Sequence, residues 1–182
     1  MAVYFHISHE TFTNGNLAPG LTISLTKPFK GPSSPPPDDV VYWENVERTV
    51  NADHPEGVSY WGEKFYLNLM DDEFMLERER YCEVVRRSQF PQMLSRLQGF
   101  FACESLKDAV EYRDRFKRSD AEIWEVEHDG RSHRLDMRWM RPCSEHEMKR
   151  NVLQYWSDKE TESPTWEILM LPPVQVLRQI DV

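Results

Sequence analysis

Glycine is scarce in this chain, with seven among 182 residues, and the seven never fall into a G-x-G-x-x-G or G-x-x-x-x-G-K-[ST] pattern. The glycine turns that cradle phosphates in dinucleotide-binding and P-loop proteins are therefore not written here. Cysteine is scarcer still. Cys82, Cys103 and Cys143 are far apart, odd in number and without a C-x-x-C pair, which excludes a disulfide framework and a thiolate zinc site. Reduced thiols in a cytosol fit that usage. No H-E-x-x-H occurs, and His6 and His9, three apart on an extended segment, point to opposite faces, so no metal is expected. Positive charge is also short: 22 Lys and Arg stand against 31 Asp and Glu, a formal net charge of −9. Such a chain gains nothing from broad phosphate attraction, which argues against coating nucleic acid. The arginines and lysines between Arg86 and Arg118 leave room for a local basic rim, although a solvated helix face is the default reading of such charges. No window approaches the roughly 18 apolar residues of a membrane helix. The first residues, Met1 to His9, carry no basic, apolar or cleavage signal. Action in the cytoplasm, away from membranes, is the expectation.

What the chain does have is a core. It is 40% hydrophobic and 12% aromatic, with six Trp, nine Phe and seven Tyr, enough to fill one domain over residues 1–182. Val3 to Ser8 is rich in β-formers and predicts a first strand. Asn14-Gly15 and Pro19-Gly20 mark turns, and Leu21 to Leu25 alternates as a short second strand. Residues 28–39 carry five prolines, which remove donors and hold the backbone extended. They predict an exposed loop, with P-x-x-P recognition as its alternative use. Residues 40–70 are aromatic without a clear period. Acids at 71–73 open a helix to about Arg87, closed by Pro91. Ser95 to Cys103 predicts a strand. Ser105 caps a helix to about Lys117. Ile123 to Glu127 alternates as a half-buried strand, Asp129-Gly130 predicts a hairpin turn, and Ser132 to Met140 the returning strand. A capping box at Ser144 starts a helix to about Trp156. Trp166 to Leu171 and Val174 to Ile180 predict two last strands. The order is that of an α+β fold, not a doubly wound sheet.

Three short elements carry the candidate chemistry. Tyr4-Phe5-His6-Ile7-Ser8 places a histidine and a hydroxyl on one face of the first strand. Ser95-Arg96 precedes Gly99-Phe100-Phe101-Ala102. Trp166-Glu167-Ile168-Leu169-Met170 buries one acid in an apolar run, where a carboxylate is costly without a partner or a bordering cavity. A strand histidine, two phenylalanines and an arginine would each serve a core equally well. In this order, however, the set resembles the ADP-ribosyltransferase superfamily, specifically its histidine-bearing branch. Phe5-His6-Ile7-Ser8 looks like the first motif. Gly99-Phe100-Phe101-Ala102 looks like the second, where that branch usually has tyrosine. Glu167 looks like the third. Ser-Arg ahead of the middle strand is similar to an uncharacterised bacterial family.

The resemblance implies a split β-sandwich with helices packed on one side. It implies NAD as substrate, no metal, and a catalytic Glu167 at the ribose. It also implies His6 and Ser8 at the adenosine ribose, Phe100 or Phe101 against nicotinamide, and Arg96 at the pyrophosphate. A mono-ADP-ribosyltransferase acting on a protein or nucleic acid follows, as a bacterial toxin, effector or defence protein, with an antitoxin or immunity protein as a second partner. Thr165, two before Glu167, departs from arginine-directed members. The alternatives are an NAD glycohydrolase on the same fold and an inactive binding module in which the missing tyrosine marks lost catalysis.

Overall fold

The computed structural model describes residues 1–8, 17–70, 72–115 and 120–182. Among these residues, seven strands build two antiparallel sheets. The first contains β1 (Ala2–Ser8), β2 (Thr22–Ile23), β4 (Glu122–His128) and β7 (Val174–Ile180), in the order β1-β4-β7-β2. The second contains β3 (Phe100–Ala102), β5 (Ser132–Asp136) and β6 (Trp166–Met170), in the order β3-β6-β5. Among the described residues a bridge joins them: Phe5 N donates to Cys103 O at 2.9 Å and Cys103 N to Phe5 O at 2.7 Å. The described residues also form five α-helices: α1 (Val40–Asp53), α2 (Tyr60–Tyr66), α3 (Glu73–Gln89), α4 (Leu106–Arg115) and α5 (Glu145–Trp156). The α+β expectation holds.

Period-two alternation sorts the core into layers. Between the sheets, Ala102, Ile168 and Met170 pack with Trp124, Val126 and Val176. On the outer face of the first sheet, Phe5, Ile7 and Ile123 meet Ala109 and Val110 of α4. On the outer face of the second, Leu135 and Leu169 meet Cys82 and Val85 of α3 and Val152 of α5. The helices are thus divided between two faces rather than gathered on one, because strand alternation gives each sheet an apolar outer face to cover.

Other boundaries differ for local reasons. Residues 40–70 form α1 and α2. Ser95 to Cys103 is no continuous strand: Ser95 Oγ accepts from Leu97 N and tightens 96–98 into a 3-10 turn, leaving three residues for β3. Asp129-Gly130 does not return the chain along β4, since β5 crosses to pair with β6 in the other sheet. Beyond Asp136 the predicted strand becomes a 3-10 turn over Met137–Met140, where Asp136 accepts from Arg138 N. The second strand shortens to Thr22–Ile23. The proline-rich loop is exposed along most of its length, yet Phe29 inside it is fully buried against Val50 and Val58. Asn14-Gly15, His9, Asp71 and the expected end of α4 at Lys117 lie outside the described residues.

Gly62 shows how tightly α2 is seated. A Cβ there would lie 2.1 Å from the Leu97 carbonyl oxygen, a backbone atom that cannot swing away. Gly62→Ala is expected to lose about 2 kcal/mol or more. In a thermal melt that corresponds to a fall of about 4–8 °C for a domain of this size.

Candidate functional site

The site is built outward from α3. Its buried residues are Arg78, Glu79, Cys82, Glu83 and Val85, so the stripe turned inward is mostly charged. Glu79 and Glu83, one turn apart, both grip the dipeptide that enters the 96–98 turn. Ser95 Oγ donates to Glu83 Oε2 at 2.8 Å, and Arg96 Nε donates to Glu79 Oε2 at 2.9 Å. From the other side α2 holds the same turn, with Ser59 N donating to Leu97 O at 2.9 Å.

Arg96 is 5% exposed and uses four of its five N–H groups. Besides Nε, Nη2 donates to Glu79 Oε1 at 3.3 Å, and Nη1 donates to the Tyr155 hydroxyl and to Glu167 Oε1, both at 2.6 Å. The Tyr155 hydroxyl in turn donates to Glu167 Oε1 at 2.6 Å. The guanidinium lies 4.7 Å from the centre of the Phe101 ring. Arg78 completes the cluster, donating from Nη2 to Glu79 Oε1 at 3.0 Å and from Nη1 to Met140 O at 2.8 Å. Two cations thus face two carboxylates in a buried space. Burial alone would raise the Glu79 carboxyl, but Arg96 and Arg78 outweigh it and hold Glu79 below its usual range. Burial likewise opposes the charge on Arg96, and Glu167 and Glu79 overcome it, so Arg96 stays protonated. Tyr155 is pushed well up, first by burial and then by the Glu167 charge.

This cluster forms part of the wall of a cleft of about 560 Å³ that opens where the sheets diverge. That volume lies within the usual range of small-ligand sites. Five of the six expected residues line it: His6, Arg96, Phe100, Phe101 and Glu167. Ser8 does not; it is buried opposite Glu122 further along β1. The five divide into two groups. Phe101 and Glu167 lie on the helix-facing side with Arg96. Phe100 turns to the inter-sheet side, where its ring sits 4.3 Å from the His6 ring at 33°. The two phenylalanines therefore do not form one stacking surface, because neighbours on a strand point oppositely. Arg96, expected at a pyrophosphate, is instead held by side chains of α3, α5 and β6.

His6 Nδ1 lies 2.7 Å from the Phe101 carbonyl oxygen. A carbonyl can only accept, so Nδ1 carries the proton and Nε2 is left as an acceptor. Nε2 is shielded from solvent and has no partner among the described residues. Burial lowers the His6 pKa from 6.5 to about 4, with the Phe101 hydrogen bond opposing it, so the ring is neutral at pH 7.

Tyr155 and Glu79 were not singled out in the sequence. The available signal was the spacing Glu79, Cys82, Glu83, which puts two acids beside a buried thiol on one helical face. Among the described residues no group of three His, Cys, Asp or Glu is gathered to hold a metal, and no helix is long and apolar enough to cross a membrane.

Two measurements probe this arrangement. Glu79→Ala leaves the buried Arg96 and Arg78 with Glu167 as the one carboxylate of the cluster, so that one positive charge is uncompensated, and is expected to lose about 3–5 kcal/mol in denaturant unfolding. Arg178→Ala, which breaks an exposed pair with Glu125, should lose no more than about 1 kcal/mol. For His6, the unfolded chain takes up a proton below pH 6.5 while the folded chain resists until about 4. Stability is therefore present above 6.5 and lost as pH falls toward 4. The melting-temperature difference between wild type and His6→Gln should shift against wild type across that window; a difference independent of pH would show that the ring is not held neutral.

Searched against curated proteins, the chain finds no match. A family model, described as a protein of unknown function, DUF2441, matches residues 42–182. That stretch takes in α3, the Arg96 turn, Tyr155 and Glu167, and begins beyond His6 and Ser8. Covering well over half of the sequence, the match places this chain in the DUF2441 family.

Proposed function

We propose that the protein is an NAD-dependent mono-ADP-ribosyltransferase, with the split β-sandwich of that superfamily and with NAD seated in the cleft. The reading rests on one observation: two buried carboxylates share Arg96 and differ in what is left over. Glu79 has both oxygens bonded by arginine. Glu167 has only Oε1 engaged, by Arg96 and Tyr155; Oε2 has no partner among the described residues, and the residue lies on the cleft wall. A carboxylate fixed by one oxygen and open at the other is arranged to meet a ligand.

In the reaction, the bond between nicotinamide and ribose breaks and its electron pair leaves with nicotinamide, which departs neutral. Positive charge grows on the ribose as in glycoside cleavage. Glu167 Oε2, accepting from a ribose hydroxyl, stabilises that charge at a fixed position, and Arg96 and Tyr155 keep the carboxylate from turning away. An acceptor nucleophile then bonds to the ribose carbon and releases its proton. His6 Nε2 accepts from a hydroxyl of the ligand, and Phe100, beside it, offers a ring face to an aromatic base. The acceptor is a protein or nucleic acid, in keeping with a bacterial toxin, effector or defence protein and an antitoxin or immunity protein.

Labelled NAD is incubated with the protein and bacterial lysate, with Glu167→Gln in parallel and melting temperatures recorded for both. Transfer of label is expected, reduced about a hundred- to thousandfold in the variant. Nicotinamide release without any lysate acceptor would indicate the glycohydrolase instead. Absence of both, in a folded protein that NAD does not stabilise, would overturn the enzyme reading.

A further inference from the structure

The cleft wall holds more positive charge than Arg96. Arg78, Arg138 and Arg141 also line it. Arg78 is 9% exposed, and its Nε is buried without a hydrogen-bond partner among the described residues. The Nε of Arg138 is in the same condition, and Arg138 forms no side-chain hydrogen bond or ion pair among those residues. Arg141, exposed at the end of the same turn, likewise has no ion pair among them. The bond from Arg78 Nη1 to Met140 O, 2.8 Å, fastens α3 to the very turn that carries Arg138 and Arg141. The acids on the same wall are Glu63, Asp72 and Glu167. Asp72 is engaged in capping α3, accepting from Met75 N at 2.7 Å, and Glu167 is engaged by Arg96 and Tyr155.

Unmatched guanidinium donors are unusual in a chain with nine more acids than bases. A buried N–H without an acceptor is destabilising, and the guanidinium ends of Arg138 and Arg141 add further donors without an acceptor among the described residues. The guanidinium fork fits phosphate oxygens. Three such groups offer more donors than one carboxylate can accept. The same cleft is lined by Phe100, whose ring suits a base rather than a bare anion.

We propose that Arg78, Arg138 and Arg141 form an anion site on the cleft wall that receives the diphosphate of a nucleotide, the role that Arg96 is not free to fill. The site deepens the NAD reading and rests on it for the identity of the natural ligand. Its test is by binding alone, so its failure and the failure of catalysis are separable.

Inorganic pyrophosphate, ADP and a short single-stranded DNA are titrated into wild type, Arg138→Gln, Arg141→Gln and the control Arg178→Gln by calorimetry at fixed ionic strength. Each variant's melting temperature is checked first. Pyrophosphate and ADP are expected to bind, ADP more tightly. Arg138→Gln should weaken both about tenfold or more, Arg141→Gln should weaken them less, and Arg178→Gln should leave them unchanged. Arg141→Gln, at an exposed position, keeps the test open if Arg138→Gln does not fold. Binding of this kind without NAD turnover would leave the anion site standing and remove the transferase. The proposal is overturned if pyrophosphate and ADP fail to bind at millimolar concentration. It is also overturned if the cleft variants bind as wild type does, if Arg178→Gln weakens binding as much as they do, or if the DNA binds in preference to ADP.

Discussion

A buried guanidinium is the constraint around which this fold is arranged. Arg96 reaches into a space bounded by α3, α5 and β6 and takes hydrogen-bond partners from each of them, Glu79, Tyr155 and Glu167. Taking an ion out of water is expensive, and the expense is offset only when nearly every donor meets an acceptor in good geometry. That requirement fixes the helical layer against the second sheet more narrowly than apolar packing would. Leu135, Leu169, Cys82 and Val152 could slide by a fraction of an ångström at little cost, whereas the charged set cannot. Arg78 balances the second carboxylate, so that the cluster is close to neutral and α3 can turn a charged stripe inward.

The same requirement shapes the cleft. Arg96 stands at the start of a 3-10 turn gripped by Glu83 through Ser95 on one side and by Ser59 of α2 on the other. Holding that turn in place limits β3 to three residues. Among the described residues the sheets then meet through the reciprocal pair of Phe5 with Cys103 and diverge beside it. His6 and Phe100 stand at the inter-sheet edge of that divergence, and Glu167 and Phe101 at its helix-facing edge. The cleft thus lies beside the turn that the buried arginine holds.

Much of this was legible in the sequence where side-chain period and local capping agree. The strand β4 alternates cleanly, β1 is rich in β-formers, β6 is an apolar run, and the Ser144–Glu147 capping box marked α5. Elsewhere long-range contacts prevailed. Asp129-Gly130 has hairpin chemistry, but His128 beside it is held by the Pro173 and Arg131 carbonyls, and the chain crosses to the other sheet. Residues 40–70 lack a clean stripe because α1 buries little beyond Val50, and α2 buries Gly62 and the stem of Lys64. The buried face of α3 was hidden for a related reason. Sequence patterning assigns charged residues to solvent, so Glu79 and Glu83 read as surface and Val84 as core, while Val84 is 58% exposed. Glu167 was visible because an acid inside an apolar strand breaks that same rule. Its pairing was not, since Arg96 was expected at a pyrophosphate and Tyr155 is an ordinary residue until the fold brings them together.

The two carboxylates on Arg96 separate structural from chemical burial. A residue kept only to neutralise Arg96 would do best as Glu79 does, sealed at 1% exposure with arginine donors on both oxygens. Glu167 meets a weaker version of that need. It offers Arg96 one oxygen, shares that oxygen with Tyr155, and sits on a cavity wall rather than behind it. A second acid at that position leaves an open oxygen in the cleft that His6 and the unmatched arginine donors also line. Acceptors and donors that the chain leaves unpaired around one cleft are complementary to a ligand bearing hydroxyls and anionic oxygens together, and a nucleotide is such a ligand.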